Sequence, residues 1–488
     1  MSSIYLRIEA QNLANTLFDT DKLNVIRGGS FMLRDAILTV GAALETRATP
    51  VRVGAEAAVF KLESEVDSAA CIRDVRQSLA DEAPAFTFAV ASARANNDAE
   101  GIDRTAAVVR WMQPRQVRLV MPPATSQTSE ICDLTKVRPA ETKNDEGMFF
   151  SRTAVCRQKF GQGAKRAAFY AREAGSTVAQ GLHFTNDLER LAEHGPCRTS
   201  SGKMAVLSMD GNSFGKIAAK LEATEAQQLD AHLRKLRGQL LTRVVNFMKA
   251  PELAPRERKN GGDVRMEVLL WAGDEFQLIV PAWLGFALLQ EVFDETRAWR
   301  ASKSANAEPL TLSAGLLICS RKMPIYRALK LAEDLQCRAK QKVKTLPELH
   351  NAWDYLVLES LDYSATMDLD TYWQRRLPGA KAPVPLLACK DYGQNLHVLA
   401  KALDDADSRR KVYASAQLIA DPQSPHAKET EKWQKTQQGL AVLDAVRALL
   451  PPLAEENRAL GWLHLREIWD YILPPELARN LQLEEPRT

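Results

Sequence analysis

The sequence predicts an α+β protein in which a βαββαβ unit occurs twice, followed by a helical region. Three observations carry that reading. Short apolar strands alternate with long amphipathic helices in the same order in two places. Each copy has a strand–turn–strand hairpin after its first helix. Beyond about residue 371 only helical periodicity remains.

In the first copy, residues 4–8 read as a strand and 31–44 as a helix, led in by Gly28, Gly29 and Ser30. Residues 50–53 and 57–62 read as two strands around Gly54, Ala55 and Glu56. A helix over 69–79 and a strand over 86–91 close this unit, a ferredoxin-like order. The second copy runs strand 204–209, helix 224–249, hairpin strands within 268–280, helix 284–299 and strand 310–318. A further helix covers 324–344. The expected domains are 1–95, an irregular inter-unit segment 96–202, 203–350, and a helical region 351–488. In the last, 395–404, 436–450 and 455–472 read as helices, Trp462 and Trp469 as core, and Pro378, Pro383 and Pro385 as linker.

Laying the copies over each other places Ala10 on Asp210 and Ala55 on Asp274. On that overlay the first copy keeps the scaffold and loses the carboxylates.

The chain has 488 residues, 45% hydrophobic and 26% charged, with a net charge of +3. That balance argues against a wholly basic nucleic-acid binder. Seven irregularly spaced cysteines argue against a disulfide framework and for a reducing compartment. No apolar run suits a signal peptide or a membrane span, so a cytoplasmic protein without membrane contact is expected. Cys132 is followed at the third position by Thr135, and Cys156 and Cys197 stand apart; buried thiols are expected there rather than zinc. The run 155–172 mixes Arg and Lys with Phe160, Phe169 and Tyr170. It reads as a solvated basic surface, with contact to a nucleic-acid backbone as the alternative.

The chemistry concentrates in two stretches. Residues 207–216, LSMDGNSFGK, end a buried strand on Asp210 and continue into a turn of Gly211, Asn212, Ser213 and Phe214. Residues 268–280, VLLWAGDEFQLIV, place Gly273, Asp274 and Glu275 on a hairpin turn. Carboxylates brought to one end of a sheet repel unless a cation lies between them. Hard oxygen ligands favour Mg2+, and Mg2+ favours phosphate substrates.

These stretches resemble the palm domain shared by GGDEF-type nucleotide cyclases and the polymerase-like large subunit of type III CRISPR effector complexes. The hairpin is here AGDEF, with Ala272 in the first glycine position. The resemblance implies a metal-dependent nucleotidyltransferase that makes an oligonucleotide or cyclic-nucleotide signal from ATP or GTP in antiviral defence. It implies Asp210, Asp274 and Glu275 as catalytic residues. It implies Mg2+ or Mn2+ held by these three and Gly211, and triphosphate contacts from Gly211, Asn212, Ser213, Phe214, Gly273 and Lys340. RNA or CRISPR-type protein subunits are the implied partners. No His-Asp dipeptide occurs, so the family's nuclease domain is expected to be absent. The rival reading is a non-catalytic, nucleotide-binding scaffold of such a ribonucleoprotein.

Overall fold

The computed structural model describes residues 2–20, 22–54, 56–113, 130–185, 188–193, 195, 198–219, 223–250, 253, 264–302, 307–358, 369, 371–372, 387–388, 391–404, 409–420, 423–450, 460–474, 477 and 481. The first sheet contains β1 (Ser3–Gln11), β2 (Ala48–Val53), β3 (Ala57–Leu62) and β4 (Thr87–Ala95) in the order β2-β3-β1-β4. After β1 come α1 (Leu13–Leu17) and α2 (Leu23–Ala43); α3 (Ser68–Glu82) precedes β4 and α4 (Asp98–Met112) follows it. Asp67 caps α3 by accepting from the Ala69 N–H, and Asn97 caps α4 through Glu100 N–H. Leu6, Ile8, Ile37, Phe60, Val75 and Leu79 share the core of this unit.

Two expectations need correction here. The helix α2 starts well before residue 31 and includes Gly28 and Gly29. Those glycines serve a close helix crossing, since a Cβ on Gly28 would lie 1.7 Å from the Arg157 carbonyl oxygen. The unit also runs past residue 95, because α4 packs on β4 and β1.

The inter-unit segment carries a small hairpin, β5 (Thr142–Lys143) with β6 (Phe149–Phe150). Helices α5 (Arg152–Phe160), α6 (Gly163–Ala174), α7 (Ser176–Ala179) and α8 (Leu188–Ala192) follow. Cys132 is buried. Cys156 is half-buried and Cys197 lies outside the described residues. The run 155–172 is not the solvated surface expected. Arg157 is buried against Asp19, Arg166 against Glu267, and Phe169 and Tyr170 join the main core. Burial of these arginines is tolerable because each has a carboxylate partner.

The second unit contains β7 (Lys203–Gly211), α9 (Phe214–Ala219), α10 (Ala223–Met248), β8 (Glu267–Ala272), β9 (Glu275–Pro281), α11 (Gly285–Thr296), β10 (Leu312–Ser320) and α12 (Ile325–Val343). With β11 (Ala352–Val357) and β12 (Leu387–Ala388), its sheet has six strands, in the order β12-β11-β10-β7-β9-β8. The first four in chain order repeat the arrangement of the first sheet. The other two lie beyond the expected boundary at 350: β11 pairs parallel with β10, and β12 pairs with β11. Every residue of β11 is buried, as a near-continuous apolar run demands.

Helices Tyr392–Asp404, Arg409–Ala420, Ala427–Gln434, Gln437–Leu449 and Leu460–Ile468 complete the description. Trp462 is buried and Trp469 packs partly buried against the same core. The linker prolines Pro378, Pro383 and Pro385, and residues 455–459 of the last expected helix, lie outside the described residues. Among the described residues no helix is long and apolar enough to cross a membrane.

Candidate active site

The site begins with β7, the strand hydrogen-bonded on both sides to β9 and β10. Its residues 204–209 are buried, and Asp210 emerges half-buried at the end. Asp210 lies opposite Glu275 of β9 and opposite Ser313 of β10. Between β8 and β9 the chain turns at Gly273, whose φ of +57° is strained for residues with a Cβ. The Gly211 N–H donates to the Asp274 carbonyl oxygen at 3.1 Å. The Asp274 side chain folds back over Gly211, where an added Cβ would lie 2.6 Å from Asp274 Oδ2. Three carboxylates therefore gather at one end of the sheet, as the sequence predicts.

The helix α12 covers this end. Gly315 on β10 allows the approach, since a Cβ there would lie 2.0 Å from the Ala332 carbonyl oxygen. Lys340 Nζ donates to the Asp210 carboxylate, and Gln336 Nε2 donates to it at 3.4 Å. Gln336 is absent from the sequence-derived set; its place on the buried face of α12, one turn before Lys340, is the signal that marks it.

Electrostatics follow from crowding. Burial, then the charge of Asp210, pushes the Asp274 carboxyl up, with Lys340 and Arg52 opposing. Glu275, exposed at the start of β9, is pushed up to about 7, first by desolvation from the protein around its carboxylate and then by Asp210, Glu56 and Asp274. Arg52 and Glu56 belong to the first unit. A cavity of about 480 Å3 separates the units, with Arg7, Arg52 and Glu56 on one wall and Gly273, Asp274 and Glu275 on the other. A larger cavity, about 870 Å3, lies along α6 and α10 and reaches none of these carboxylates.

The turn residues divide. Asn212 is buried and fully engaged: its Nδ2 donates to Thr311 Oγ1 at 3.0 Å and to the His350 carbonyl at 3.2 Å, and its Oδ1 accepts from Ser313 at 2.7 Å. It anchors β10 and cannot turn to a ligand without breaking these bonds. The left-handed residue of the turn is Ser213, with φ of +64°. Phe214 is core. The side chain of Ala272 lies outside the described residues.

The first unit matches the second in a register one residue away from the overlay drawn on sequence. The pairing of β2 with β3 shifts between Pro50 and Arg52, and that of β8 with β9 between Val268 and Leu270. Matching these bulges places Val59 on Gln277, Arg7 on Ser208, Glu9 on Asp210 and Ala10 on Gly211. Glu56 then falls on Asp274. Two further features agree. The Ala10 N–H donates to the Glu56 carbonyl at 2.8 Å, as Gly211 does to Asp274. Asn12, φ +54°, matches Ser213, and a short helix starts at the next residue in each unit. Gln113 follows the start of α4 by the same count as Lys340 follows that of α12, and its Nε2 lies 3.5 Å from Glu9 Oε1. Ala10 therefore does not replace Asp210, and Glu56 rather than Ala55 stands at the place of Asp274; Ala55 itself lies outside the described residues. The sequence overlay slipped because matching Asn12 with Asn212 looked like an identity.

Residues 203–345 match the model of the Cas10/Cmr2 second palm domain. That is the second unit with its α12, hereafter the second palm, and the chain resembles the polymerase-like large subunit of type III CRISPR effector complexes. Among solved structures, a Csm1–Csm4 cassette in complex with cA4 shares 14% identity at a TM-score of 0.48, covering 96% of this chain and 70% of that one. Csm1 in T. onnurineus shares 13% identity at 0.47, covering 99% of this chain and 70% of that one. A Csm1–Csm4 cassette in complex with one ATP shares 13% identity at 0.45, with 99% and 70% covered. No curated protein matches the chain.

Proposed function

We propose that the second palm is the active site of a metal-dependent nucleotidyltransferase that joins nucleoside triphosphates into a linear or cyclic oligonucleotide signal, in CRISPR-related antiviral defence. The observation that carries this is the crowding of Asp210, Asp274 and Glu275 at one strand end, where burial and mutual repulsion disfavour ionisation of Asp274 and Glu275. A divalent cation removes that penalty. Among the described residues no group of three or more His, Cys, Asp or Glu side chains is placed to hold a metal ion, so a cation here would rest on two carboxylates. An open set of oxygen donors fits Mg2+ or Mn2+, which bind through one or two carboxylates and complete their shell with water and phosphate oxygens.

Asp210 and Asp274 are the ligands in this reading, with Glu275 and the Gly211 backbone beside them. A cation held there would neutralise triphosphate oxygens and favour ionisation of an attacking hydroxyl. The chain's own residues position the reactants. The turn at Ser213 presents backbone N–H groups to phosphate. Gly273 leaves open space beside the hairpin, because nothing lies within 4 Å of an added Cβ. Lys340, which donates to the Asp210 carboxylate, is the residue that would turn to a phosphate oxygen. The 3′-hydroxyl of one nucleotide attacks the α-phosphorus of the next, and pyrophosphate leaves in line. Positioning and charge neutralisation supply most of the rate in phosphoryl transfer, so no histidine or cysteine is required.

One observation favours the scaffold reading. Lys340 by itself pairs with the Asp210 carboxylate, as a purely structural ion pair would. The two readings part in one assay: the purified chain is incubated with labelled ATP or GTP and Mg2+ or Mn2+, and the products are separated. A product with wild type and none with Asp274→Asn supports the transferase. Triphosphate binding that ignores both the metal and Asp274 leaves the scaffold.

A further inference from the structure

The hairpin that carries Asp274 and Glu275 is held from behind by three charged side chains that no part of the reaction uses. Helix α6 lies between the two palms. Its Glu173 carboxylate accepts from Arg34 of α2, in the first palm, and from Arg237 Nε of α10, in the second, at 3.3 Å. Each arginine directs a second N–H at the hairpin backbone. Arg34 Nη1 donates to the Trp271 carbonyl at 3.1 Å, and Arg237 Nη1 lies 3.4 Å from the Gly273 carbonyl. The three side chains are 6%, 10% and 9% exposed for Glu173, Arg34 and Arg237. Gly238 allows the approach, since a Cβ there would lie 2.5 Å from the Glu173 carbonyl oxygen.

We propose that Glu173 is a positioning residue: it fixes Arg34 and Arg237 on the carbonyls of Trp271 and Gly273, and so sets where the hairpin presents Asp274 and Glu275. The physical reason is local. Gly273 gives the turn backbone freedom, and β8, which leads into it, is the edge strand of the sheet. Two buried arginines without a carboxylate would repel each other and lose their shared anchor. Glu173 removes that repulsion and aims both forks at one short stretch of backbone. The inter-palm segment thereby gains a mechanical hold on the catalytic turn. This inference rests on the transferase reading for its consequence, but its structural content does not.

The test uses the full chain and a matched control. Glu173→Gln removes the charge and keeps the shape. Glu267→Gln does the same in a second buried network, in which Glu267 of β8 pairs with Arg27 and Arg166 and does not touch the turn. Arg237→Lys keeps the charge beside Glu173 and loses the reach to Gly273. Two quantities are read: amide exchange of the peptide covering 271–276, by mass spectrometry, and Mn2+ affinity, by electron paramagnetic resonance. Glu173→Gln should speed exchange of that peptide about tenfold or more and weaken Mn2+ binding roughly 10–100-fold, the range for lost supporting groups. Arg237→Lys should shift both the same way by less. Glu267→Gln should lower the melting temperature yet leave both readouts near wild type. Unchanged exchange in Glu173→Gln, or equal losses in the two glutamine variants, overturns the proposal. A wild-type chain that binds no Mn2+ sinks the transferase reading alone, since the exchange comparison still decides whether Glu173 sets the turn.

Discussion

In the first palm Glu9 lies against Arg7, and Ala10 carries a methyl; in the second, Asp210 lies against Lys340, and Gly211 carries none. Both units keep the bulge, the strand-end carboxylates, the backbone bond across the hairpin and the left-handed residue before the short helix. They differ in who answers the charge and in how much room is left. In the first palm a neighbouring arginine on the same strand occupies Glu9. A methyl sits where the second palm needs space for the Asp274 carboxylate. Carboxylates at matching positions therefore do not make matching sites. Free space beside the acid, and the element that supplies its cationic partner, separate the two.

The comparison breaks most sharply on one substitution. Asp274→Asn should abolish product and weaken metal-dependent triphosphate binding more than the roughly 10–100-fold that an outer partner costs. Fluorescent-triphosphate titration with and without Mg2+ reads it. Glu56→Gln, at the matching place in the first palm, serves as its pair; equal losses in the two would show that the palms share one metal site.

A second, smaller effect tests the methyl. Gly211→Ala puts a Cβ 2.6 Å from Asp274 Oδ2, so the carboxylate must move. Metal affinity should fall about tenfold, with a stability loss of about 1–3 kcal/mol typical of overpacking. Ala10→Gly in the first palm should cost only about 0.5–1 kcal/mol, from backbone entropy, and leave metal affinity unchanged. Calorimetric titration and thermal melting check both.

A third expectation concerns pH. Glu275 is pushed from 4.5 up to about 7, and Asp274 is raised as well. Each binds a proton more tightly folded than unfolded, so the metal-free chain is most stable below the unfolded values and loses stability as pH rises to about 7. Metal binding needs the ionised forms, so Mn2+ affinity should climb with pH through about 7, with proton release. Glu275→Gln should flatten both trends. Melting at pH 5 and 8, with and without Mn2+, measures them.

The smallest effect crosses the cavity. Glu56 raises Glu275 across the gap between the palms. Glu56→Gln should move the midpoint of the Mn2+–pH curve downward while changing affinity at pH 8 by less than about threefold, as expected for a screened contact at a wet boundary. A midpoint that stays put would mean the two hairpins do not sense each other.

The second palm was legible because its signals are local. A buried apolar run must pair, so 204–209 and 268–280 announce a sheet, and an acid at the end of each announces where charge collects. The duplication was legible for the same reason, since element order survives when residues change. Register was not. A one-residue slip is invisible in a gapped overlay and obvious in a hydrogen-bond ladder, where the bulges at Pro50 and Val268 mark position. Partners distant in sequence were equally hidden. Glu173, Arg34 and Arg237 come from three elements that meet only when α6 settles between the palms, so nothing near any one of them names the other two. The buried arginines of 155–172 read as surface for that reason: sequence shows a charge, and only the fold shows the carboxylate that allows it inside. Local chemistry and periodicity were thus fixed by the chain itself. Which acids meet at one strand end, and what surrounds them, was decided by tertiary packing, because spacing in three dimensions sets both the repulsion and the room.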